Sequence, residues 1–332
     1  MMSAPLLEVR DLRVDFRLGR GWLGSTARTL HALAGVDLDV PEGRSVGIVG
    51  ESGCGKSTLA RAILGLQASS GGEIRWRGQP VDTTDRGRMR AIRRELQVVF
   101  QDPFGSLDPR MTAGDSVAEA LEALEGVQES STQRARVDAA LTDVGLDPGL
   151  AARYPHELSG GQCQRVAIAR ATVVRPRLLI CDEAVSALDV SVQAQIVNLV
   201  GDLSRRHRMA LLFISHNLAV VRHLCEEVVV LYLGRVVERA PRDELFASPK
   251  HPYTRALLAA VPEPDPRLAR RSEAMRVPIE GADGAPGPTG CSFAPRCAFA
   301  DERCRIATPV LETAGPGHAV ACHRWRDSTN LT

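Results

Sequence analysis

Gly50-Glu51-Ser52-Gly53-Cys54-Gly55-Lys56-Ser57-Thr58 fits G-x-x-x-x-G-K-[ST], the spacing of a phosphate-binding loop. Ser45 to Val49 before it reads as a short buried strand. Thr58 to Leu66 after it reads as a helix with Leu59, Ile63 and Leu66 on one apolar face. A loop between such elements aims several backbone N–H groups at one anion, and the helix N-terminus adds its dipole. Gly50, Ser52, Gly53, Gly55 and Thr58 then belong to the cradle. Lys56 reaches the β- and γ-phosphates, and the Ser57 hydroxyl ligates Mg²⁺. Composition sharpens this reading. Lysine occurs only at 56 and 250, every other basic residue being arginine. Such a chain uses lysine where a compact point charge is needed.

The 332 residues suit one large domain with an extension, or two domains. A hydrophobic fraction of 44% and a charged fraction of 24% are those of a globular protein able to bury a core. The net charge of +1 gives no basic field for nucleic acid. No apolar run approaches the roughly 18 residues that span a bilayer, and Met1 to Arg10 lacks a signal-peptide core. Any role at a membrane is therefore expected through a partner.

Around the loop, strands and helices alternate as a parallel sheet requires. Leu6–Phe16, Val36–Val40 and Glu73–Arg77 read as strands of antiparallel β structure. Leu96 to Phe100 is a strand ending at Gln101. Ser116 to Leu146 has helical spacing and forms an insertion, broken at Gly126 to Thr132. Leu158-Ser159-Gly160-Gly161-Gln162 leads into a helix over Arg165 to Thr172. Leu178 to Asp182 is an apolar strand ending in the carboxylates Asp182 and Glu183. Asp182 suits Mg²⁺, and Glu183 suits orienting a water. Val192–Arg206 is a helix, and Ala210–Ser215 is a buried strand ending at His216.

Taken singly, a serine N-cap, an acidic strand end or a histidine carries little. Their order carries much more: the phosphate loop, Gln101, LSGGQ, an apolar strand ending Asp-Glu about 20 residues later, Ser186-Ala187-Leu188-Asp189, then His216. This resembles an ATP-binding-cassette (ABC) ATPase over residues 5 to 240. The resemblance implies that Phe16 stacks on adenine and that Gln101 senses Mg²⁺ and the γ-phosphate. It makes His216 the γ-phosphate switch and Asp189 the loop aspartate at a dimer interface. It also implies that Ser159, Gly160, Gly161 and Gln162 form a second anion site at a helix N-terminus. Two chains would then sandwich two ATP molecules head to tail. Cys163 departs from the basic residue usual after the signature and is expected to be a small half-buried thiol.

A narrower resemblance rests on DEAVSALD (182–189), Ser248-Pro249-Lys250-His251-Pro252-Tyr253-Thr254, Leu257-Leu258 and the late cysteines. It is to the ATPase subunits of oligopeptide/dipeptide importers. It implies an ATP-binding region over 1–240, with its helical subdomain near 102–165, and a C-terminal extension over 241–332. It implies a second ATPase subunit, identical or paralogous, two membrane permease subunits, and indirectly an extracytoplasmic binding protein. The site of action would be the cytoplasmic face of the inner membrane. Nickel, glutathione or antimicrobial peptides are alternative cargoes, and a soluble ABC ATPase of DNA repair or translation is the competing class. Such soluble ATPases carry long coiled coils, zinc modules or two cassettes; this chain has a short insertion and one cassette.

Residues 262–290 are rich in Pro and Gly, and Cys291, Cys297, Cys304 and Cys322 follow, spaced C-x5-C-x6-C-x17-C. Short C-x2-C zinc pairs are absent. Four thiolates suit a four-iron–four-sulfur cluster, which some members of the resembling subfamily are thought to carry; zinc and unligated thiols are the alternatives. With few apolar residues, the extension is expected to need such a centre for order.

Overall fold

The computed structural model describes residues 5–18, 28–126, 131–260 and 289–328. In chain order, the strands are β1 Leu7–Leu18, β2 Arg28–Val40, β3 Ser45–Val49, β4 Gly71–Trp76, β5 Gln79–Pro80, β6 Leu96–Val99, β7 Leu178–Asp182, β8 Ala210–Ile214, β9 Glu227–Tyr232, β10 Arg235–Pro241, β11 Glu312–Gly315 and β12 His318–Val320. The helices are α1 Lys56–Ile63, α2 Arg86–Glu95, α3 Ala113–Glu125, α4 Ser131–Asp143, α5 Gly160–Thr172, α6 Val190–His207, α7 Leu218–Leu224, α8 Arg242–Ala247, α9 Pro252–Ala259, α10 Glu302–Ile306 and α11 Trp325–Ser328. The chain divides into two compact units. One takes the described residues of Met1–Glu8, Asp39–Ser45 and Ile74–Ile214; the other takes those of Val9–Leu38, Val46–Glu73 and Ser215–Thr332.

In the first unit β6, β7 and β8 run parallel, with Leu96 opposite Leu178 and Leu178 opposite Ala210. Every residue of LLICD and ALLFI is buried, as in strands covered on both faces. The insertion folds as α3, α4 and α5 packed together through buried Val117, Leu121, Val137, Leu141 and Val166. A capping box between Thr112 and Asp115 opens α3, and Gly126 at φ 72° closes it. Ser131 and Thr132, expected in the break that runs from Gly126 to Thr132, belong to α4; residues 127–130 of that stretch lie outside the described residues.

In the second unit β3 pairs parallel with β9, β9 antiparallel with β10, β10 with β12 and β12 with β11. β2, β1 and β4 lie side by side in that order. Helix α1 differs from expectation at both ends. It starts at Lys56 rather than Thr58 and stops at Ile63, and Leu66 beyond it is exposed rather than packed. Gly65, left-handed at φ 66°, turns the chain out of the helix first.

The C-terminal extension is also better packed than its composition suggests. β12 adds a rung to β10, with Val320 opposite Glu238. Phe293 and Tyr253 are fully buried and meet Tyr232 at ring-centroid distances of 5.4 and 4.5 Å. Apolar burial and strand pairing therefore supply order that was expected from a metal centre alone. Most of the Pro/Gly-rich stretch 262–290 lies outside the described residues.

Candidate functional site

β3 delivers the phosphate loop at its C-terminal end, where a short buried strand leaves the next turn at the surface. Gly55 sits at φ 108°, and a Cβ there would lie 2.6 Å from the Ala32 carbonyl oxygen, so only glycine fits. The turn leads directly into α1, whose N-cap is Gly55 with no side-chain cap. The first amides of the helix thus point at an anion site with the positive end of the dipole behind them. Lys56 is buried; its Nζ donates to the carbonyl oxygens of Gly50 (2.8 Å) and Glu51 (2.9 Å). Cys54 is buried beside it, and burial pushes its thiol up, so it stays neutral. The Cys54 carbonyl accepts from Gly234 N–H at 2.8 Å, which ties the loop to the β9–β10 turn. Phe16 is half-buried on β1. His216 is exposed; the preceding Ser215 donates its N–H to Ile48 of β3 at 3.1 Å. The phosphate loop, Phe16 and His216 thus all belong to the second unit.

The remaining candidates belong to the first unit. Asp182 ends β7 buried. Glu183 follows at φ 50°, a left-handed conformation unusual for a residue with a Cβ. It is held there from both sides: its N–H donates to Ile214 at 3.0 Å, and its carbonyl accepts Ser186 N–H and Oγ at 3.0 Å each. The surrounding bonds over-determine this strained conformation. Gln101 lies exposed just beyond β6, as does Asp189 at the N-cap of α6, where its side chain makes no capping bond.

The signature opens α5 five residues earlier than the expected helix start. Ser159 and Gln162 form a capping box: Ser159 Oγ accepts from Gln162 N–H at 3.3 Å, and Gln162 Oε1 accepts from Ser159 N–H at 2.8 Å. A Cβ on Gly161 would stand 2.8 Å from Val192 Cγ1, so glycine lets α5 sit close to α6. Cys163 is fully buried, not half-buried, and its thiol donates to the Pro155 carbonyl at 3.5 Å.

The four late cysteines line one small cavity, together with His251 and Phe299. Burial pushes all four thiols up, Cys322 to about 12, with the neighbouring cysteines adding to it. His251 is also buried; its Nδ1 accepts from Tyr253 N–H at 3.0 Å. The Nε2 hydrogen is therefore on a buried nitrogen with no partner. Among the described residues no three His, Cys, Asp or Glu side chains gather tightly enough to hold a single metal ion.

Two contacts at the phosphate loop carried no sequence signal. Glu51 donates its N–H to Tyr253 Oη at 2.8 Å, and its carboxylate pairs with Arg296. The partners lie about two hundred and more residues away in sequence, and only folding brings them together.

Residues 33–186 match the family described as ABC transporter, and residues 237–304 match the oligopeptide/dipeptide transporter C-terminal region. The chain is 47% identical to the oligopeptide transport ATP-binding protein OppF of Escherichia coli K12, covering 96% of this chain and 95% of that one. It is 48% identical to a probable peptide ABC transporter ATP-binding protein, y4tS, of Sinorhizobium fredii, covering 97% and 90%. The fold matches the dimeric ATP-binding cassette MJ0796 bound to ADP and Pi, with a TM-score of 0.63, 28% identity and coverage of 71% and 98%. It also matches cbiO1 of Clostridium perfringens, part of the ABC transporter complex cbiONQ, with the same score and identity and coverage of 82% and 100%. Carrying both the cassette and the C-terminal region of these proteins over nearly its whole length, the chain belongs to the ABC transporter family of ATP-hydrolysing subunits, in its oligopeptide/dipeptide branch.

Proposed function

We propose that this chain is the ATP-hydrolysing subunit that powers peptide import through a membrane ABC transporter. The observation that carries this reading is the phosphate loop itself: a left-handed glycine at 55, an α1 N-terminus without a side-chain cap, and buried Lys56 poised on the loop's own carbonyls. Lys56 moves from those carbonyls to the β- and γ-phosphates of ATP. Phe16 stacks on adenine. Gly50, Ser52, Gly53, Gly55 and Thr58 belong to the phosphate cradle. Ser57, Gln101 and Asp182 would hold Mg²⁺, which would neutralise charge developing on the phosphoryl oxygens. Glu183, held in its strained turn, orients the attacking water, and His216 contacts the γ-phosphate. Ser159, Gly160, Gly161 and Gln162, with Asp189, serve the nucleotide of a second ATPase subunit, identical or paralogous. Among the described residues no helix is long and apolar enough to cross a membrane. The chain works at the cytoplasmic face of the inner membrane against two permease subunits, fed by an extracytoplasmic binding protein. Residues 1–240 carry the nucleotide chemistry and 241–332 the extension.

For the cysteine cavity we favour a four-iron–four-sulfur cluster over zinc. Four thiols line one cavity, and the orphaned Nε2–H of His251 on the same wall can donate to a sulfur. When bound, the cluster cross-links the extension through its cysteines. Replacing Glu183 with Gln tests the ATPase reading: ATP should still bind, hydrolysis should fall by orders of magnitude, and a closed dimer should accumulate on size exclusion. Near-normal turnover would remove Glu183 from its role.

A further inference from the structure

The phosphate loop contains a carboxylate. Glu51 follows Gly50 directly, and its own carbonyl accepts Lys56. A free carboxylate at this position would repel a polyphosphate and compete with it for Lys56. The fold deals with it from the C-terminal extension. Arg296 donates NH1 to Glu51 Oε2 and NH2 to Oε1, both at 2.9 Å, the bidentate fork that lysine cannot make. The Arg296 side chain is 10% exposed and that of Glu51 24%, so this pair is screened far less than a surface salt bridge. The guanidinium carbon lies 5.6 Å from the Phe293 ring centroid and 5.8 Å from that of Tyr232. Tyr253, from the same aromatic cluster, takes the Glu51 N–H. Side chain and amide of one loop residue are thus both held by residues at or beyond 232. Arg296 is also the residue before Cys297, in the short turn Ala294–Arg296 on the way round the cysteine cavity.

We propose that Arg296 is a positioning residue for nucleotide binding: it neutralises Glu51 and fixes the start of the phosphate loop. The extension thereby forms part of the ATP site's support, and the order of its cysteine cavity is transmitted to the loop through one side chain. This rests on reading residues 50–58 as the phosphate loop.

The test is calorimetric titration of the full-length chain with Mg·ATP, alongside steady-state hydrolysis and thermal unfolding. Arg296→Gln should weaken Mg·ATP binding about ten-fold, because the Glu51 carboxylate, no longer neutralised, repels the polyphosphate through a partly screened site. The loss should appear in KM, with kcat at saturating ATP largely kept. Adding Glu51→Gln to Arg296→Gln should recover most of the loss, because the offending charge is gone. Arg296→Lys, which keeps charge but not the fork, should fall between Arg296→Gln and wild type, and it supplies the readout if Arg296→Gln does not fold. Wild-type affinity in Arg296→Gln, or in Arg296→Lys where that variant is the readout together with an unfolded Arg296→Gln, would overturn the proposal. A double variant as weak as Arg296→Gln would do the same, since Arg296 would then only pack the extension. Lys56→Ala is the control for the underlying reading: unaltered ATP affinity there would remove the phosphate loop itself, whatever Arg296 does.

Discussion

Glu238→Gln probes the joint between β10 and the C-terminal extension. Glu238 is completely buried on β10. Its Oε1 accepts Lys250 N–H at 2.6 Å and pairs with His318 Nε2 at 2.8 Å; its Oε2 accepts His251 N–H at 2.9 Å. One carboxylate therefore fastens the entry to α9 and strand β12 to the sheet. Glutamine keeps the shape but converts one oxygen into a donor. In the better orientation His251 N–H is orphaned, which costs about 1–3 kcal/mol, and the other two bonds lose their charge assistance at roughly 1 kcal/mol each. The total is about 3–5 kcal/mol, in the range found when a buried pair loses one partner. Urea unfolding of the full chain should show this loss, and hydrogen exchange should speed up at Lys250 and His251 before it does in β7. The pH dependence has a defined sign. Burial opposes ionisation of Glu238, but the bonds from His318 and the backbone N–H groups outweigh it and hold its pKa below the ordinary 4.5. A carboxylate depressed on folding stabilises above its unfolded pKa, so this contribution is complete above about 4.5 and lost as the pH falls through the folded value. Glu238→Gln should lack that part of the acid sensitivity. A destabilisation under about 1 kcal/mol would refute the claim that Glu238 anchors the extension.

Lys56→Ala should abolish ATP binding by calorimetry while leaving the unfolding midpoint close to wild type, because the Lys56 ammonium supports no apolar core; tight ATP binding would contradict its role. Protein purified without oxygen should be brown and absorb broadly at about 400 nm, and Cys322→Ser should bleach it and expose the extension to protease. A colourless preparation with stoichiometric zinc would replace the iron centre with the smaller ion. Phe293→Ala should destabilise by about 3–5 kcal/mol through loss of a fully buried ring, even in metal-free protein; a negligible effect would return the ordering of the extension to the metal alone.

Much of the architecture was legible because it repeats local rules. Glycines at fixed spacing announced the phosphate loop, and apolar runs such as LLICD and ALLFI announced buried strands. Ser159 three residues before Gln162 is a capping box in sequence as well as in structure. Other features had no local signal. The left-handed backbone of Glu183 depends on bonds to Ile214 and Ser186, not on its own preference. β12 has three residues, too few for alternation to register. Arg296 and Glu51 meet only because the aromatic cluster of Tyr232, Tyr253 and Phe293 brings distant segments together. The extension looked poor in core because its few buried rings, Tyr253 and Phe293, are far apart in sequence and pack on one another and on Tyr232 outside it.

The central claim is that ATP hydrolysis by this chain drives peptide entry. It is tested most directly by uptake of a labelled tripeptide in host cells where Glu183→Gln replaces the wild-type chain, with the amount of protein in the membrane fraction measured in parallel. Membrane recovery should be normal, with no uptake above the level of a strain lacking the chain. Uptake at the wild-type rate would contradict the claim.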